Sequence, residues 1–149
     1  KWDIVKQMAE EREEKMDDLV RDYTRALRNE LKFISYAPIM TISALSGMRV
    51  NKLWDRIADL AQVRKFQLSD QQLRSIIKPA IEVGKFPTYR GTSLRIYKYT
   101  QTGTNPPTFT FTVNNPQLFH FSVERYFKNK LREVYPFVGC PLKFEIIAK

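Results

Sequence analysis

The stretch TFTFTV at residues 108–113 alternates threonine with an apolar side chain. Because successive side chains of a β-strand point to opposite faces of a sheet, this alternation predicts a strand with one buried face and one polar face. The two phenylalanines and the valine are the predicted core positions. A strand of this kind indicates a domain whose sheet is packed against helices on one face only.

Two further segments show the same alternation. A strand over residues 94–99 places Arg95, Tyr97 and Tyr99 on the polar face of the predicted sheet, and a third strand is predicted over residues 142–148. In both segments the intervening positions are apolar and face the predicted core. The sequence therefore predicts a small three-stranded sheet.

Helices are predicted before the first of these strands and between the second and the third. Ser69 is a favourable N-cap for a helix that Gly84 ends, and Ser122 is a second N-cap before an amphipathic run over residues 123–135. The resulting order, helix, strand, strand, helix, strand, is that of a small α+β domain. We place this domain at residues 63–149, after a short polar connection.

The positive charge of the chain lies in this second segment. Residues 1–62 carry eleven basic and eleven acidic side chains, whereas residues 63–149 carry 14 basic and five acidic ones, which accounts for the whole net charge of +9. A basic module beside a neutral one is typical of a protein that binds a polyanion, most economically nucleic acid. Solubility is the alternative explanation of this charge.

Residues 1–62 contain two halves of a guanine-reading motif. The first half is KWD at residues 1–3, and the second is SAL at residues 43–45, where Ser43 stands forty positions after Asp3. Guanine carries two adjacent donors, the ring N1 proton and the exocyclic amine, which one carboxylate accepts together in a charge-assisted pair. Adenine has no such pair, so an aspartate at this position discriminates between the two purines.

The residues around the two halves fit the closing part of a nucleotide-binding α/β domain. An amphipathic helix is predicted over residues 16–31, and a short buried strand over 37–42 carries Ser43 and Ala44 at its carboxyl end. A second amphipathic helix over residues 50–58 is predicted to cover the sheet. Ligands of open α/β sheets bind at the carboxyl edge of the strands, which is where the SAL motif lies.

Composition excludes several classes of site. The single cysteine, Cys140, excludes an internal disulfide, and with one histidine, His120, the chain has no Cys/His zinc site. We interpret His120 as a structural residue at a helix start rather than as a catalyst.

No stretch is apolar enough to span a membrane, and we expect a cytoplasmic protein. Because the chain does not begin with methionine, we expect a truncated product that lacks the polypeptide preceding Lys1.

Other motifs carry a specific resemblance. They are NPPTF at 105–109, VNNP at 113–116, HFS at 120–122, RY at 125–126, NKLRE at 129–133 and FVGCP at 137–141. Together they resemble the C-terminal KH-like domain of the Der family, also called EngA. The members of this family are bacterial proteins with two consecutive GTPase domains. The KWD and SA motifs are similar to the end of that family's second GTPase domain, in the same order.

The resemblance implies a fold in two parts, an α/β remnant of a P-loop GTPase domain followed by an α+β KH-like domain. It implies that the intact parent is a GTPase, binds GTP or GDP with Mg²⁺, and acts in maturation of the large ribosomal subunit. The implied partners are ribosomal RNA and the parent's own GTPase domains. By this resemblance Lys1 stacks on guanine, and Asp3 accepts its N1 and amine protons. Ala44 donates its amide to the guanine carbonyl oxygen, while Ser43 braces the loop.

Two motifs of related proteins are absent from the sequence. No two of the five glycines stand three apart, so there is no Gly-x-x-Gly loop of the kind with which a conventional KH domain clamps RNA. There is also no Gly-x-x-x-x-Gly-Lys-Ser/Thr phosphate loop, so we predict that this fragment alone is inactive and binds no nucleotide tightly. The candidates for RNA contact are taken from charge and pattern: first Arg125, Lys128 and Arg132 on the second helix, then Arg95, Tyr97 and Tyr99 on the sheet.

A second interpretation assigns the basic segment to protein binding. In it, residues 63–149 are a regulatory scaffold that docks on partner GTPase domains without direct RNA contact. Salt distinguishes the two interpretations, because the logarithm of RNA affinity falls linearly with the logarithm of salt concentration when phosphates are neutralised.

Overall fold

The computed structural model describes residues 2–11, 15–89, 91–135 and 137–149. The chain divides into two compact units, unit 1 over Lys1–Ala61 and unit 2 over Gln62–Lys149. Within the described ranges, no helix has the length and hydropathy that a membrane crossing requires.

Unit 1 is helical in its described residues. It contains α1 (Trp2–Glu11), α2 (Met16–Glu30) and α3 (Val50–Arg64), whose last residues belong to unit 2. The two helices predicted in this part are present, whereas α1 was not predicted. The predicted strand over residues 37–42 is wrong, because residues 38–43 have no regular secondary structure. A strand is defined by hydrogen bonds to a neighbouring strand, and the described residues of unit 1 include no such neighbour.

The apolar faces of the helices in unit 1 are largely uncovered. On α3, Trp54 is 70% exposed, and Phe33, after α2, is 75% exposed. No residue of α2 or α3 is buried, and the buried residues described in unit 1 are Ala9 and Ser43. The sheet that α3 was predicted to cover is not present among the described residues.

Unit 2 has the predicted order of elements with one small hairpin added. The elements are α4 (Asp70–Val83), the hairpin β1 (Thr88–Tyr89) and β2 (Thr92–Ser93), β3 (Ile96–Gly103), β4 (Thr108–Val113), α5 (Phe121–Val134) and β5 (Lys143–Ala148). The sheet order is β3-β4-β5, in which β3 pairs antiparallel with β4 and β4 pairs parallel with β5. The α+β prediction for this part is confirmed.

Helix α4 begins and ends as its sequence predicts. The Ser69 hydroxyl accepts the Gln72 amide at 3.2 Å, and the Gln72 side chain accepts the Ser69 amide at 2.9 Å, which is a capping box. Gly84 follows the last residue of the helix with extended backbone. A Cβ at Gly84 would lie 2.5 Å from Cζ of Phe86 and 2.7 Å from the carbonyl oxygen of Ala80. Glycine is therefore required here by close approach and not by a left-handed conformation.

Helix α5 begins earlier than predicted. Its N-cap is His120, whose Nδ1 accepts the Ser122 amide at 3.4 Å and lies 2.9 Å from the Ser122 hydroxyl. The prediction of Ser122 as N-cap is therefore wrong, because the imidazole nitrogen already supplies the acceptor that the first turn of the helix needs. His120 is a structural residue at the helix start, as the sequence indicated.

The core of unit 2 lies between the sheet and the helices. On β4, Phe109, Phe111 and Val113 are at most 1% exposed, as the alternation of residues 108–113 predicted. Phe127 of α5 is fully buried, and its ring centroid lies 5.3 Å from that of Phe111 and 5.9 Å from that of Phe119. Aromatic side chains from the sheet and from α5 thus form the centre of this core.

One face of β3 was predicted incorrectly. A bulge before Lys98 shifts the pairing with β4, so that Tyr99 lies opposite Phe111 and packs against the core. Because one extra residue reverses the direction of every side chain after it, Tyr99 does not share the polar face with Tyr97. The prediction of Tyr99 on that face is therefore wrong.

Because the thiol of Cys140 is buried, we expect the stability of the chain to decrease at alkaline pH. Burial raises the pKa of this thiol, although the nearby Arg64 and Arg132 oppose the rise. The folded thiol thus keeps its proton to higher pH than the unfolded one, so the stability that it contributes is complete below the unfolded pKa and is lost as pH rises through the folded pKa. We expect the free energy of unfolding, measured by urea titration, to fall as pH rises above about 8.5, the ordinary pKa of a cysteine thiol, and Cys140→Ala to reduce that fall. An equal fall in both proteins would contradict this expectation.

Candidate guanine-binding loop and basic surfaces

The two halves of the guanine motif meet in unit 1. The Ser43 hydroxyl donates a hydrogen bond to Oδ1 of Asp3 at 2.5 Å, across forty residues of sequence. The Trp2 amide donates to the carbonyl oxygen of Ile42 at 3.3 Å, so the first turn of α1 lies against the residue that precedes Ser43. The remaining residue of the first half, Lys1, lies outside the described residues.

Ser43 also organises the turn that follows it. Its side chain is fully buried, its hydroxyl oxygen accepts the Ser46 amide at 3.3 Å, and its own amide donates to the carbonyl oxygen of Met48 at 3.2 Å. Ala44 is exposed in this turn, and Gly47 closes it with a φ of +71°, a left-handed conformation that glycine adopts at little cost. One hydroxyl group thus fixes both the carboxylate of Asp3 and the turn that contains Ala44.

The Ser43 hydroxyl holds one oxygen of the Asp3 carboxylate. A carboxylate has about four lone-pair positions, and the Ser43 hydroxyl takes one of them on Oδ1 of Asp3. The sequence contains no Gly-x-x-x-x-Gly-Lys-Ser/Thr phosphate loop.

In unit 2, the basic side chains of α5 differ in their surroundings. Arg125, Lys128 and Arg132 have the spacing of one helix side, as predicted. Arg125 is exposed, whereas Lys128 forms an ion pair with Glu124 and its Nζ lies 5.5 Å from the ring centroid of Phe144. Lys128 is thus already engaged with side chains of its own unit.

Arg132 has a structural role that the sequence did not reveal. Its Nη1 donates to the carbonyl oxygen of Phe137 and its Nη2 to that of Cys140, both at 2.7 Å. The two donors of one guanidinium fork hold the loop between α5 and β5 against the helix. Of the three predicted α5 contacts with RNA, Arg125 has the most accessible cation.

The predicted contacts on the sheet differ in their surroundings. Arg95 is exposed. Its backbone amide donates to the side-chain oxygen of Asn114 at 2.8 Å, and its carbonyl oxygen accepts the Asn114 backbone amide at 3.1 Å. Tyr97 is 49% exposed, and Nζ of Lys149 lies 4.5 Å from its ring centroid. Tyr99 is half-buried on the core side of the sheet. Arg95 and Tyr97 therefore remain as exposed candidates, whereas Tyr99 packs against the core.

A basic groove that was not predicted runs between α4 and β3. We call it the α4–β3 groove, and its volume is about 420 Å³. The residues lining it are Asp70, Arg74 and Lys78 of α4 and Tyr97, Lys98, Tyr99 and Thr100 of β3. The spacing of Arg74 and Lys78, four residues apart on a helix, was the available signal in the sequence.

Comparison with known proteins places these features in a family. The family described as the KH-domain-like domain of EngA bacterial GTPase enzymes, C-terminal, matches residues 67–146. This chain belongs to the EngA family. Unit 2 is the KH-like domain of that family, and the matched residues run from just before α4 into β5.

Relatives of this EngA chain align with unit 1 as well. The GTPase Der of Leuconostoc mesenteroides is 36% identical over 149 residues, which is 100% of the chain and 32% of the relative. The GTPase Der of Lachnoclostridium phytofermentans is 40% identical over 146 residues, covering 98% of the chain and 31% of the relative. The chain thus spans about a third of the length of these relatives, and its first unit agrees with an α/β remnant of a GTPase domain.

Proposed function

We propose that this EngA-family chain is part of a protein that binds and hydrolyses GTP and acts in assembly of the large ribosomal subunit in the bacterial cytoplasm. Residues 1–62 would complete the guanine site of a GTPase domain. Residues 63–149 would form the KH-like module that contacts ribosomal RNA and the parent's GTPase domains. The observation that carries this proposal is the hydrogen bond between Ser43 and Asp3.

That hydrogen bond supports the proposal because each half of the motif is uninformative alone. Short motifs such as KWD and SA become meaningful only in the correct structural context. Here a fully buried hydroxyl joins the two halves and also holds the turn around Ala44. This is the arrangement that a base-reading carboxylate beside a backbone amide donor requires.

The uncovered surfaces of unit 1 give independent support. Residues 38–43 pair with no strand among the described residues, and Trp54 and Ile57 of α3 are 70% and 47% exposed. Apolar surface of this kind is normally covered by further protein. A GTPase domain completed by additional polypeptide, which would also hold the phosphates and Mg²⁺, accounts for both features.

Each residue of the motif has a defined task in this proposal. Asp3 accepts the N1 and amine protons of guanine, and Ser43 holds that carboxylate in position. The amide of Ala44 donates to the guanine carbonyl oxygen, which its small side chain leaves accessible. The aliphatic part of Lys1 covers the face of the base.

The test replaces the base-reading carboxylate in a polypeptide of full family length. Xanthine carries a carbonyl oxygen where guanine carries its amine, so an amide side chain, with one acceptor and one donor, matches xanthine and not guanine. We expect Asp3→Asn to weaken GDP binding at one site by at least about tenfold and to strengthen XDP binding there. Competition titrations with fluorescent nucleotides measure both affinities.

Asp17→Asn is the matched control, since it makes the same chemical change on an exposed position of α2. It should leave GDP and XDP affinities unchanged. The present chain alone, which lacks a phosphate loop, should bind GDP no more tightly than the millimolar range. An Asp3→Asn protein with an unaltered preference for GDP over XDP would refute the proposed guanine site.

Contacts within unit 2 favour a second candidate function for that unit. Lys128 is paired with Glu124, and Arg132 holds the loop before β5, which leaves fewer cations on α5 for RNA. A protein-binding regulatory scaffold that docks on GTPase domains fits this arrangement. Only the RNA-binding function predicts that affinity for ribosomal RNA falls steeply with salt. In a plot of the logarithm of affinity against the logarithm of salt concentration, each phosphate contact steepens the slope by about 0.7 to 0.9.

A further inference from the structure

The α4–β3 groove exposes the edge of a β-strand. Four consecutive residues of β3, from Tyr97 to Thr100, line it. Tyr97 and Lys98 are exposed whereas Tyr99 packs on the core side of the sheet, so a cavity lined by all three runs along the edge of the strand. β3 is an outer strand that pairs with β4 alone, and among the described residues no other backbone hydrogen bond reaches residues 97–100. The backbone groups on this edge are therefore accessible from the groove.

The edge is open for a limited length. Just beyond Thr100, the Gln101 side chain donates to the carbonyl oxygen of Phe66 at 2.9 Å and accepts the Leu68 amide at 2.8 Å. The segment before α4 therefore lies beside the strand immediately after Thr100. The accessible part of the edge is the stretch that lines the cavity.

Helix α4 forms the opposite wall with one stripe of side chains. Asp70, Arg74 and Lys78 follow one another at intervals of four residues, and all three are exposed. At about 1.5 Å per residue the stripe is about 12 Å long, which is the length of roughly four residues of extended chain. This length matches the open edge of β3, so the groove has room for a short extended segment between helix and strand.

The charge of the groove selects an anionic occupant. The lining contains three cations and one carboxylate, so its net charge is +2. The cations are Arg74, Lys78 and Lys98, and the carboxylate is Asp70. Within the described part of the chain, none of the three cations forms an ion pair. An acidic segment is thus favoured over a neutral or basic one.

We propose that the α4–β3 groove binds an extended acidic segment of a partner protein, which adds to β3 as a further strand and places its carboxylates against Arg74 and Lys78. A strand edge presents alternating N–H donors and carbonyl acceptors, and a peptide backbone satisfies both. The phosphates of single-stranded RNA are acceptors only and would leave the carbonyl groups of the edge unmatched. This interaction surface is separate from the proposed guanine site and does not depend on it.

The test uses the full chain, labelled with ¹⁵N, and a blocked peptide of alternating glutamate and valine. We expect the peptide to shift the amide resonances of residues 97–100 and to slow their hydrogen exchange. The double variant Arg74→Glu and Lys78→Glu should bind the peptide at least about tenfold more weakly. Both side chains are exposed, so the variant should keep the thermal unfolding temperature of the wild type.

Three controls separate strand addition from simple charge attraction. The double variant Lys85→Glu and Arg125→Glu makes the same charge change at exposed positions outside the groove and should retain the affinity. A peptide with the same sequence but N-methylated at alternate amides should not bind, because it cannot complete the ladder. A lysine-valine peptide should not bind either.

The proposal is overturned if millimolar glutamate-valine peptide leaves residues 97–100 unshifted, or if the Arg74→Glu and Lys78→Glu variant binds as tightly as the wild type. It is also overturned if the N-methylated peptide binds equally well. Oligouridylate serves as the nucleic-acid probe. Shifts at residues 97–100 with oligouridylate but not with the acidic peptide would assign the groove to RNA and reject the acidic segment.

Discussion

Phe127→Ala is expected to lower the free energy of unfolding of unit 2 by about 3–5 kcal/mol. The side chain is fully buried, and its ring centroid lies 5.3 Å from that of Phe111 on β4 and 5.6 Å from that of Phe86, which follows α4. Removing the ring leaves a cavity between the sheet and both helices, and the rigid neighbours cannot close it. Urea titration followed by far-ultraviolet circular dichroism measures the change.

Phe121→Ala is the matched control, since it removes the same ring from the same helix at a position that is 78% exposed. Its effect should remain within about 0.5 kcal/mol. Similar losses for the two variants would show that α5 does not bury the face seen in the structure.

Arg132→Ala is expected to cost about 2–3 kcal/mol, an unusually large effect for an arginine on a helix. Its guanidinium donates to the carbonyl oxygens of Phe137 and Cys140, and both acceptors lose a charge-assisted hydrogen bond when it is removed. Arg132→Lys should restore only part of the loss, because one ammonium group lacks the fixed fork of donors. Thermal and urea unfolding of the three proteins give the comparison.

Arg125→Ala is the control for this experiment, since Arg125 is exposed on the same helix. It should leave stability unchanged and, if unit 2 binds RNA through α5, reduce the salt slope of RNA affinity by about one contact. A wild-type stability for Arg132→Ala would remove the structural role assigned to this residue and return it to the set of candidate RNA contacts.

The parts of the fold that sequence predicted well are those that local pattern determines. The alternation at residues 108–113 places Phe109 and Phe111 in the core without reference to any other segment. By contrast, the position of Tyr99 depends on a bulge that is set by pairing with β4, which no pattern within β3 reveals. The segment over residues 37–42 has the composition of a buried strand, but strand formation depends on neighbours that the described part of unit 1 does not supply.

The candidate sites divide in the same way. The contact between Asp3 and Ser43 follows from a motif whose spacing reflects a fixed geometry. The role of Arg132 and the α4–β3 groove were not predicted, because each depends on which backbone groups a second element brings near the side chain. Charge counts identified the basic segment, but they could not distinguish cations held inside it from cations presented to a partner.

The parallel pairing of β4 with β5 has a consequence for synthesis of the protein. Thr108 lies opposite Lys143, so the ladder joins residues 35 positions apart, a long-range pairing that forms slowly compared with local contacts. A nascent polypeptide that ends before residue 143 lacks the strand that flanks β4. Until residues 143–148 are synthesised, Phe109 and Phe111 therefore lack their ring contacts with Phe144, and β4 lacks its parallel neighbour.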